Sequence, residues 1–426
     1  MNKINIGVFP CGSEVGLEIN KALKYYRHFN LIGLNSVEDH GRICYNKYIG
    51  NIPFVGSEEF LKRVKKVIKE NKIRFLIPAM DEAGYFLKKN EAVLDCEVVY
   101  PRIEISKVLR KKTETYQELS GVVPTPEIYN LNSINENLPI FAKPDIGYGS
   151  RGAKIINDPN DPVLKSSGYI FSELLPGEEF TIDCFTSKSG ELIYSNPRKR
   201  SRIRMGISVS TENVEVSRFI EFASAINDKL KFQGLWFFQM KEDKNGNLKL
   251  LEVAGRVSGS MALNRGLGVN LIAMDIFQRL GNTVHASKIL NQKIVLERSF
   301  DCKIVAELNY RNIYCDFDDC LILDDKVNTS LLQFLYQGIN KRKKLILITR
   351  HDKDIHESLK KFRLNNIFDN IIHITNPEVS KASKIESKES IFIDDSFIER
   401  EVVFKAHKIP CFAPDVIDML IDKSVC

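Results

Sequence analysis

The chain has 426 residues, of which 43% are hydrophobic and 27% charged, and its formal net charge is +6. This composition is that of a globular protein, and the length predicts two or three domains. No apolar run approaches the roughly 20 residues that span a bilayer, and the first residues lack the long apolar centre of a secretory signal. The sequence therefore excludes a membrane partner, and so mild a charge does not argue for nucleic acid.

The nine cysteines are dispersed, and no CxxC pair occurs among them. An odd, scattered set is typical of reduced thiols in a cytosol rather than of a disulfide framework or a zinc site. We therefore expect a cytoplasmic protein.

The first hundred residues alternate between strand and helix patterns. "INIGVF", "FNLIGLNS" and "IRFLIPAMD" are predicted strands, separated by amphipathic helices such as "EEFLKRVKKVIKENK". This alternation predicts a parallel sheet covered by helices, a Rossmann-like domain over residues 1–100. Gly12 and Gly16 follow the first strand without completing GxGxxG, so a tight turn is favoured over a dinucleotide site.

The pattern changes over residues 101–300. After a helix in "KTETYQELSG" come strands separated by glycines, and "TIDCFTSKSGELIYS" reads as a hairpin folded at a Ser-Gly turn. An antiparallel, α+β domain is expected here.

A glycine-rich loop follows a lysine in "FAKPDIGYGSRGAKII". Lys143 is at a strand end, and Gly147, Gly149 and Gly152 lie in the loop. Glycines let backbone N–H groups approach phosphate oxygens, and a lysine adds positive charge. Taken alone, this segment fits a phosphate cradle and a flexible hairpin loop equally well.

Polar residues on later strands favour the cradle. Glu173 ends one strand, and Glu179 follows a Pro-Gly turn, where carboxylates could accept hydrogen bonds from a ribose. Gln239 in "FFQMKED" and Glu252 in "LLEVAG" offer oxygen ligands on neighbouring strands, which suits Mg²⁺. Arg256, just beyond, could stabilise a transferring phosphoryl group.

This order of segments over residues 1–298 resembles the ATP-grasp superfamily, in particular the branch of carbamoyl-phosphate synthase and carboxylate–amine ligases. The resemblance implies ATP and Mg²⁺ as cofactors and an acyl phosphate that an amine attacks. It implies that Gln239 and Glu252 bind Mg²⁺ and that Arg256 is catalytic. The residues implied to bind ATP are Lys112 and Lys143 (phosphates), Gly149 and Ser150 (loop), Glu173 and Leu174 (the strand end and the backbone near adenine) and Glu179 (ribose).

Two positions depart from the family pattern. The usual Glu-x-Asn-Pro-Arg is Glu252-Val253-Ala254-Gly255-Arg256 here, and Ala254 cannot coordinate a metal. Lys111 stands where the family has an aspartate. The basic run "NPRKRSRIR" has three interpretations: a lining of the ATP and substrate cleft, which we favour, a solvated face, or a nucleic-acid patch, which lacks interleaved aromatic residues.

A second parallel α/β unit is predicted after about residue 300. Asp316 and Asp318 follow the strand in "NIYCDFDDC", and two residues apart on an extended segment they would face the same side. Thr349 ends "KLILIT", Lys381 stands in "VSKASK", and Asp394 and Asp395 end "SIFIDD". These groups are expected at one sheet edge, where Mg²⁺ and a lysine would neutralise the carboxylates.

Residues 309–426 resemble the haloacid dehalogenase-like phosphatases. The resemblance implies that Asp316 is the nucleophile and Asp318 the general acid–base residue, and that Thr349 and Lys381 hold the phosphoryl oxygens, with Lys384 as a substitute for Lys381. A metal site of Asp316, Asp318, Asp394 and Asp395 is implied as well. About 30 residues separate Asp318 from Thr349, which leaves no room for a cap domain.

The sequence therefore predicts a bifunctional enzyme, an ATP-grasp ligase fused to a capless, doubly wound phosphatase domain. Its partners would be ATP, a small-molecule carboxylate and amine, and a phosphorylated substrate, and it could form a homo-oligomer. Two alternatives stay open: a phosphatase whose ATP-binding half is a sensor, and a non-catalytic nucleotide-binding scaffold.

Overall fold

A computed structural model describes residues 3–147, 149, 151–204, 206–286, 293–299 and 301–424. The chain divides into two compact units, Met1–Ser299 and Phe300–Cys426. Ser150, which the sequence assigns to the phosphate loop, lies outside the described residues.

The N-terminal unit begins with a five-stranded parallel sheet of order β3-β2-β1-β4-β5. Its strands are β1 Ile4–Phe9, β2 Phe29–Leu34, β3 Lys47–Ile49, β4 Ile73–Pro78 and β5 Glu97–Val98. Its helices are α1 Glu14–Leu23, α2 Gly41–Cys44, α3 Glu58–Asn71 and α4 Asp81–Lys89. The parallel sheet that the strand–helix alternation predicts is confirmed.

The glycine turn after β1 is closed. A Cβ at Gly12 would overlap the carboxylate of Asp39, and a Cβ at Gly16 would overlap the backbone of Cys11. The hydroxyl of Ser13 caps α1 by accepting a hydrogen bond from the backbone N–H of Gly16. The glycines therefore serve close packing and a tight turn, as the sequence favours.

Two antiparallel sheets follow. The four-stranded sheet has the order β6-β9-β7-β8 and the six-stranded sheet the order β14-β13-β10-β11-β12-β15. The strands are β6 Ile128–Tyr129, β7 Ile140–Pro144, β8 Lys154–Ile156, β9 Tyr169–Glu173, β10 Glu179–Thr186, β11 Leu192–Arg204, β12 Ile207–Asn213, β13 Gly234–Glu242, β14 Leu248–Ala254 and β15 Val295–Glu297. The helices are α5 Ile103–Arg110, α6 Lys112–Glu118, α7 Ile134–Asn137, α8 Ile220–Leu230, α9 Ala262–Gly266 and α10 Leu271–Arg279.

Packing joins the first sheet to the later part of this unit. Residues of β1 and α1, such as Ile6 and Ile19, share one hydrophobic cluster with Leu271 and Ile276 of α10. The hairpin predicted at the Ser-Gly turn forms between β10 and β11. Residues 1–100 therefore share a core with the chain that follows them.

The basic strand β11 is largely neutralised. Arg198 is buried, and its Nε lies 2.8 Å from the carboxylate of Asp183, which is also buried. Lys199 pairs with Glu178, and Arg202 lies 3.0 Å from Glu297. Paired cations attract phosphates weakly, so this strand does not favour the nucleic-acid interpretation.

The C-terminal unit contains a five-stranded parallel sheet of order β20-β19-β16-β21-β22 and a two-stranded β17-β18 hairpin. The strands are β16 Asn312–Cys315, β17 Ile322–Leu323, β18 Lys326–Val327, β19 Lys344–Thr349, β20 Asn370–His373, β21 Ser390–Ile393 and β22 Cys411–Phe412. The helices are α11 Thr329–Asn340, α12 Ile355–Lys361, α13 Phe397–His407 and α14 Ile417–Leu420. Between Asp318 and β19 the chain holds one hairpin and one helix, too little for a cap domain.

Among the residues with described coordinates, no helix is long and apolar enough to cross a membrane. The eight cysteines in that part of the chain are free thiols, as the dispersed pattern predicts.

Candidate functional sites

A cleft of about 390 Å³ opens between the two antiparallel sheets of the N-terminal unit. Its volume lies in the range of small-molecule sites. Eight residues that the sequence assigns to nucleotide or metal binding line it: Lys112, Lys143, Gly149, Glu173, Leu174, Glu179, Gln239 and Glu252. Residues scattered over 140 positions of sequence thus converge on one cavity.

The two lysines have different surroundings. Lys143, on β7, is buried, and its Nζ donates a hydrogen bond of 2.6 Å to the hydroxyl of Tyr116. Lys112 starts α6, and its Nζ donates to the backbone carbonyl of Pro144 at 3.0 Å and to that of Asp145 at 3.3 Å. Lys112 therefore fixes the start of the glycine loop, whereas Lys143 bears a charge inside the cleft.

Burial makes the ammonium of Lys143 easy to discharge. Desolvation, helped by the neighbouring charge of Lys112, lowers the pKa of Lys143 to about 8. Anionic oxygens placed next to it would raise that pKa again, because an opposite charge favours the ionised lysine.

The glycine loop leaves space on its inner side. Gly149 has a φ of +63°, and a Cβ built there would meet nothing within 4 Å. A positive φ is costly for residues with side chains, so glycine suits this position.

Gln239 and Glu252 face each other across two paired strands. They are partners in the register between β13 and β14, and both line the cleft. The amide Nε2 of Gln239 donates to Thr181 Oγ1 at 3.4 Å, which leaves its carbonyl oxygen available. Two oxygen donors with open space before them fit Mg²⁺, which completes its shell with water and phosphate. Ala254 offers no third oxygen.

The acidic residues at the cleft mouth already have partners. Glu173 accepts a hydrogen bond of 3.0 Å from the backbone N–H of Glu127 and so ties β9 to the chain before β6. Glu179 pairs with Arg200 of β11. Glu179 can therefore hold a ribose only together with Arg200 or by releasing it.

Arg256 does not line the cleft. Its Nε donates to Asp81 Oδ2 at 2.9 Å, and its guanidinium lies 5.2 Å from the ring centre of Phe237. Asp81 is the first residue of α4, and it is 175 positions away from Arg256 in the sequence. Local sequence patterns do not predict contacts over such a separation. The catalytic role predicted for Arg256 requires that it leave Asp81 or act at the edge of the site.

Three cations line the cleft without having been singled out individually from the sequence: Arg151, Arg200 and Lys241. Lys241 lies two residues beyond Gln239 on β13, so both side chains emerge on the same face of the strand. The two-residue spacing from Gln239 could have identified Lys241 as a cleft residue. The basic run "NPRKRSRIR" could have identified Arg200.

The C-terminal unit collects carboxylates at the carboxyl edge of its sheet. Lys381 Nζ lies 3.0 Å from Asp316 Oδ1 and donates a hydrogen bond of 2.6 Å to Asp394 Oδ2. All three side chains are buried, and Asp316 Oδ1 completes no hydrogen bond despite the nearby ammonium. Lys384 is exposed, so Lys381 is the lysine of this cluster.

The same cluster fits a divalent cation. Asp316, Asp394 and Asp395 offer oxygens within 4.8 Å of one another. Burial raises the pKa of Asp316 to about 6. The charge of Lys381 opposes this shift, and the negative charge of Asp394 adds to it. Burial likewise raises the pKa of Asp394. Three carboxylates against one lysine leave excess negative charge, which a hard cation such as Mg²⁺ would neutralise.

Asp318 lies apart from this cluster. The expectation that it faces the same side as Asp316 assumed an extended segment, but β16 ends at Cys315 and the chain turns. Phe317 is buried, whereas the Asp318 side chain is 51% exposed and accepts a hydrogen bond from His351. Asp318 therefore does not join the three-carboxylate group described above.

Thr349 lies at the end of β19 and is fully buried. Its Oγ1 accepts a hydrogen bond of 3.1 Å from the backbone N–H of His351. The register of the parallel sheet places β19 and β21 on either side of β16, so Thr349 and Asp394 flank the strand that leads to Asp316.

Comparisons with known proteins support the fold of the N-terminal unit. A family described as "ATP-grasp in the biosynthetic pathway with Ter operon" matches residues 166–298. No curated protein sequence matches the chain.

Three solved structures share this fold. Biotin carboxylase from Campylobacter jejuni, in complex with β,γ-ATP, has a TM-score of 0.56 and 16% identity over 68% of this chain and 74% of its own. Carboxyaminoimidazole ribonucleotide synthase from Aspergillus clavatus, with ATP, has a TM-score of 0.57 and 14% identity over 69% and 81%. The biotin carboxylase domain of Hydrogenobacter thermophilus 2-oxoglutarate carboxylase, with MgADP, ADP and bicarbonate, has a TM-score of 0.57 and 13% identity over 69% and 74%.

At these identities the likeness shows the fold alone. The chain contains an ATP-grasp fold, as the order of its sequence segments predicted.

Proposed function

We propose that the N-terminal unit is an ATP- and Mg²⁺-dependent carboxylate–amine ligase and that the C-terminal unit is a Mg²⁺-dependent phosphatase. The observation that carries the first half is the pairing of Gln239 with Glu252 in the cleft that Lys143 enters. Nucleotide-bound structures with the same fold support the assignment of ATP. We place the enzyme in the cytoplasm, with small-molecule substrates and the capacity to form a homo-oligomer.

In the proposed ligase reaction, a substrate carboxylate oxygen attacks the terminal phosphorus of ATP, the bond to the bridging oxygen breaks, and ADP leaves. An amine then attacks the acyl carbon, inorganic phosphate departs, and the amine loses a proton. Lys143 would neutralise phosphate oxygens, the loop at Gly149 would donate N–H groups, and Gln239 and Glu252 would hold Mg²⁺. The ion would screen the charge that the phosphates accumulate.

The ligase proposal is tested by ADP release. We expect the purified protein to form ADP from Mg-ATP only when a suitable acid is present, across a panel of amino acids and other carboxylates with candidate amines. Glu252→Gln should reduce the acid-dependent rate at least about a hundredfold, because the metal site would lose a charged ligand. ATP binding without acid-dependent ADP release over a broad panel would favour the sensor alternative, which Ala254 and the Arg256–Asp81 pair support.

The pKa of Lys143 predicts how ATP affinity depends on pH. The free lysine titrates at about 8 through burial and Lys112, with Glu252, Glu179 and Asp145 opposing that shift. Bound phosphates raise the pKa of Lys143. At a pH between the pKa of the free protein and that of the complex, ATP binding is therefore accompanied by uptake of a proton. We expect affinity to be nearly constant below about pH 7 and to fall by up to about tenfold per pH unit above about pH 8. Calorimetry in two buffers of different ionisation enthalpy measures both effects, and Lys143→Met should abolish the proton uptake.

In the proposed phosphatase reaction, a carboxylate oxygen of Asp316 attacks the phosphorus of a monoester, and the ester oxygen leaves with a proton from Asp318. Water, deprotonated by Asp318, then attacks phosphorus and releases phosphate and Asp316. Lys381 and Thr349 would hold the phosphoryl oxygens. Mg²⁺ held by Asp316, Asp394 and Asp395 would offset the charge of the phosphoryl group. The buried Asp316–Lys381–Asp394 cluster supports this half of the proposal.

A further inference from the structure

His351, which the sequence analysis did not assign to the phosphatase site, lies beside Asp318. Its Nδ1 lies 3.0 Å and 2.9 Å from the two carboxylate oxygens of Asp318, and its Nε2 lies 2.8 Å from Ser358 Oγ on α12. The His351 side chain is only 10% exposed, whereas that of Asp318 is 51% exposed. An exposed carboxylate is thus hydrogen-bonded to a nearly buried ring.

The backbone and the ring of His351 both make further contacts. The backbone N–H of His351 donates to Thr349 Oγ1 at 3.1 Å, and its carbonyl oxygen lies 2.7 Å from Nε2 of His373. The ring also packs edge-on against Phe317 at 4.9 Å between ring centres. Phe317 lies between Asp316 and Asp318, so the histidine packs against the segment that carries both aspartates.

The hydrogen bonds fit one tautomer of a neutral ring. Nδ1–H donates to the acceptor-only carboxylate of Asp318, and Nε2 accepts from the hydroxyl of Ser358. The carboxylate of Asp318 can only accept, so it keeps a proton on Nδ1. When Asp318 is protonated and acts as the acid, its second oxygen can still accept from Nδ1–H.

We propose that His351 is a positioning residue for the phosphatase reaction, and that it holds Asp318 in the orientation from which it protonates the leaving group. This inference rests on the proposed phosphatase function. The physical reason is entropic, because an exposed aspartate samples several rotamers and a proton is transferred only from a narrow range of positions. His351 would touch neither the phosphoryl group nor the three carboxylates of the metal cluster.

Leaving-group dependence separates positioning of the acid from a structural role. The leaving oxygen of an alkyl phosphate needs a proton, whereas the leaving group of 4-nitrophenyl phosphate, the stabilised 4-nitrophenolate anion, departs readily without one. We expect His351→Ala to lower kcat/KM for an alkyl phosphate at least about tenfold more than for 4-nitrophenyl phosphate. His351→Asn, which retains an N–H near the Nδ1 position, should recover most of the loss, and Ser358→Ala should show a weaker form of it.

The control is His356→Ala, an exposed histidine on the same helix as Ser358. It should leave both substrates unaffected, and beryllofluoride with Mg²⁺ should bind all these variants as tightly as wild type. Equal losses on both substrates without rescue by asparagine, in a variant that still binds beryllofluoride, would overturn the positioning role alone. A wild type that neither binds beryllofluoride nor hydrolyses either ester would overturn the phosphatase proposal and the role of His351 with it.

Discussion

Asp316→Asn is expected to abolish turnover of an aryl phosphate. The amide is a poor nucleophile towards phosphorus, so the covalent route is lost entirely. The substitution is nearly isosteric, and it removes one of three crowded carboxylates whose mutual repulsion Lys381 partly offsets. We therefore expect the variant to stay folded, with an unfolding temperature no lower than that of wild type without Mg²⁺. Release of inorganic phosphate measures turnover.

Two further measurements sharpen this result. Asp318→Asn should slow turnover by about a hundredfold or more, the usual share of general acid–base catalysis. Beryllofluoride, which mimics an aspartyl phosphate, should bind wild type with Mg²⁺ but not Asp316→Asn. The matched control is Asp319→Asn, the same change at an exposed aspartate with a φ of +51°, a conformation that asparagine tolerates well. Wild-type activity in Asp316→Asn would require another interpretation of the aspartate cluster.

The sequence predicts the parts of this molecule that depend on local pattern. Strands such as "INIGVF" and "KLILIT" coincide with β1 and β19 because their short length and β-branched residues favour a strand over a buried helix. The convergence of distant residues on the cleft is predicted for a related reason. Lys143, Gln239 and Glu252 lie at strand ends or on paired strands, where register brings them together.

The sequence does not predict contacts that depend on the ends of strands and on distant partners. Asp318 turns towards His351 because β16 ends at Cys315. Phe317, two residues further on, is apolar and buried, so the hydrophobic pattern of the sequence does not indicate this strand end. Arg256 meets Asp81 across 175 positions of sequence. Such pairs follow from tertiary packing, which periodicity does not encode.

The sequence also does not predict which charged residues of the basic run are buried in the core and which line the cleft. Arg198 belongs to a basic run that we expected to line the cleft, yet only Arg200 of this strand does so. Arg198 instead belongs to a buried hydrogen-bond network with Asp183, Ser258 and Asn264. Two residues apart, Arg198 and Arg200 would share one face of a regular strand, but the register between β11 and β12 shifts between Lys199 and Arg202. Such an irregularity re-aims side chains, and composition alone does not predict it.

Lys143→Met is expected to weaken binding of Mg-ATP at least about tenfold, which corresponds to about 1.4 kcal/mol. The Lys143 side chain is buried, so its charge acts on phosphate oxygens with less screening by water than at the surface. Methionine retains most of the aliphatic stem, so the packing around Tyr116 should persist while the charge disappears. It also removes the desolvation penalty of a buried ammonium, so we expect the free protein to be at least as stable as wild type.

The structure provides a matched control on the adjacent strand. Lys154 begins β8 between Ala153 and Ile155, which both line the cleft, but its own side chain pairs with Asp161 at 2.7 Å outside it. Lys154→Met makes the same chemical change without entering the cleft, so calorimetric titration should return the wild-type affinity. If both variants lost affinity equally, the effect would reflect the overall charge of the unit, and if Lys143→Met bound Mg-ATP as tightly as wild type, the phosphates could not lie beside this lysine.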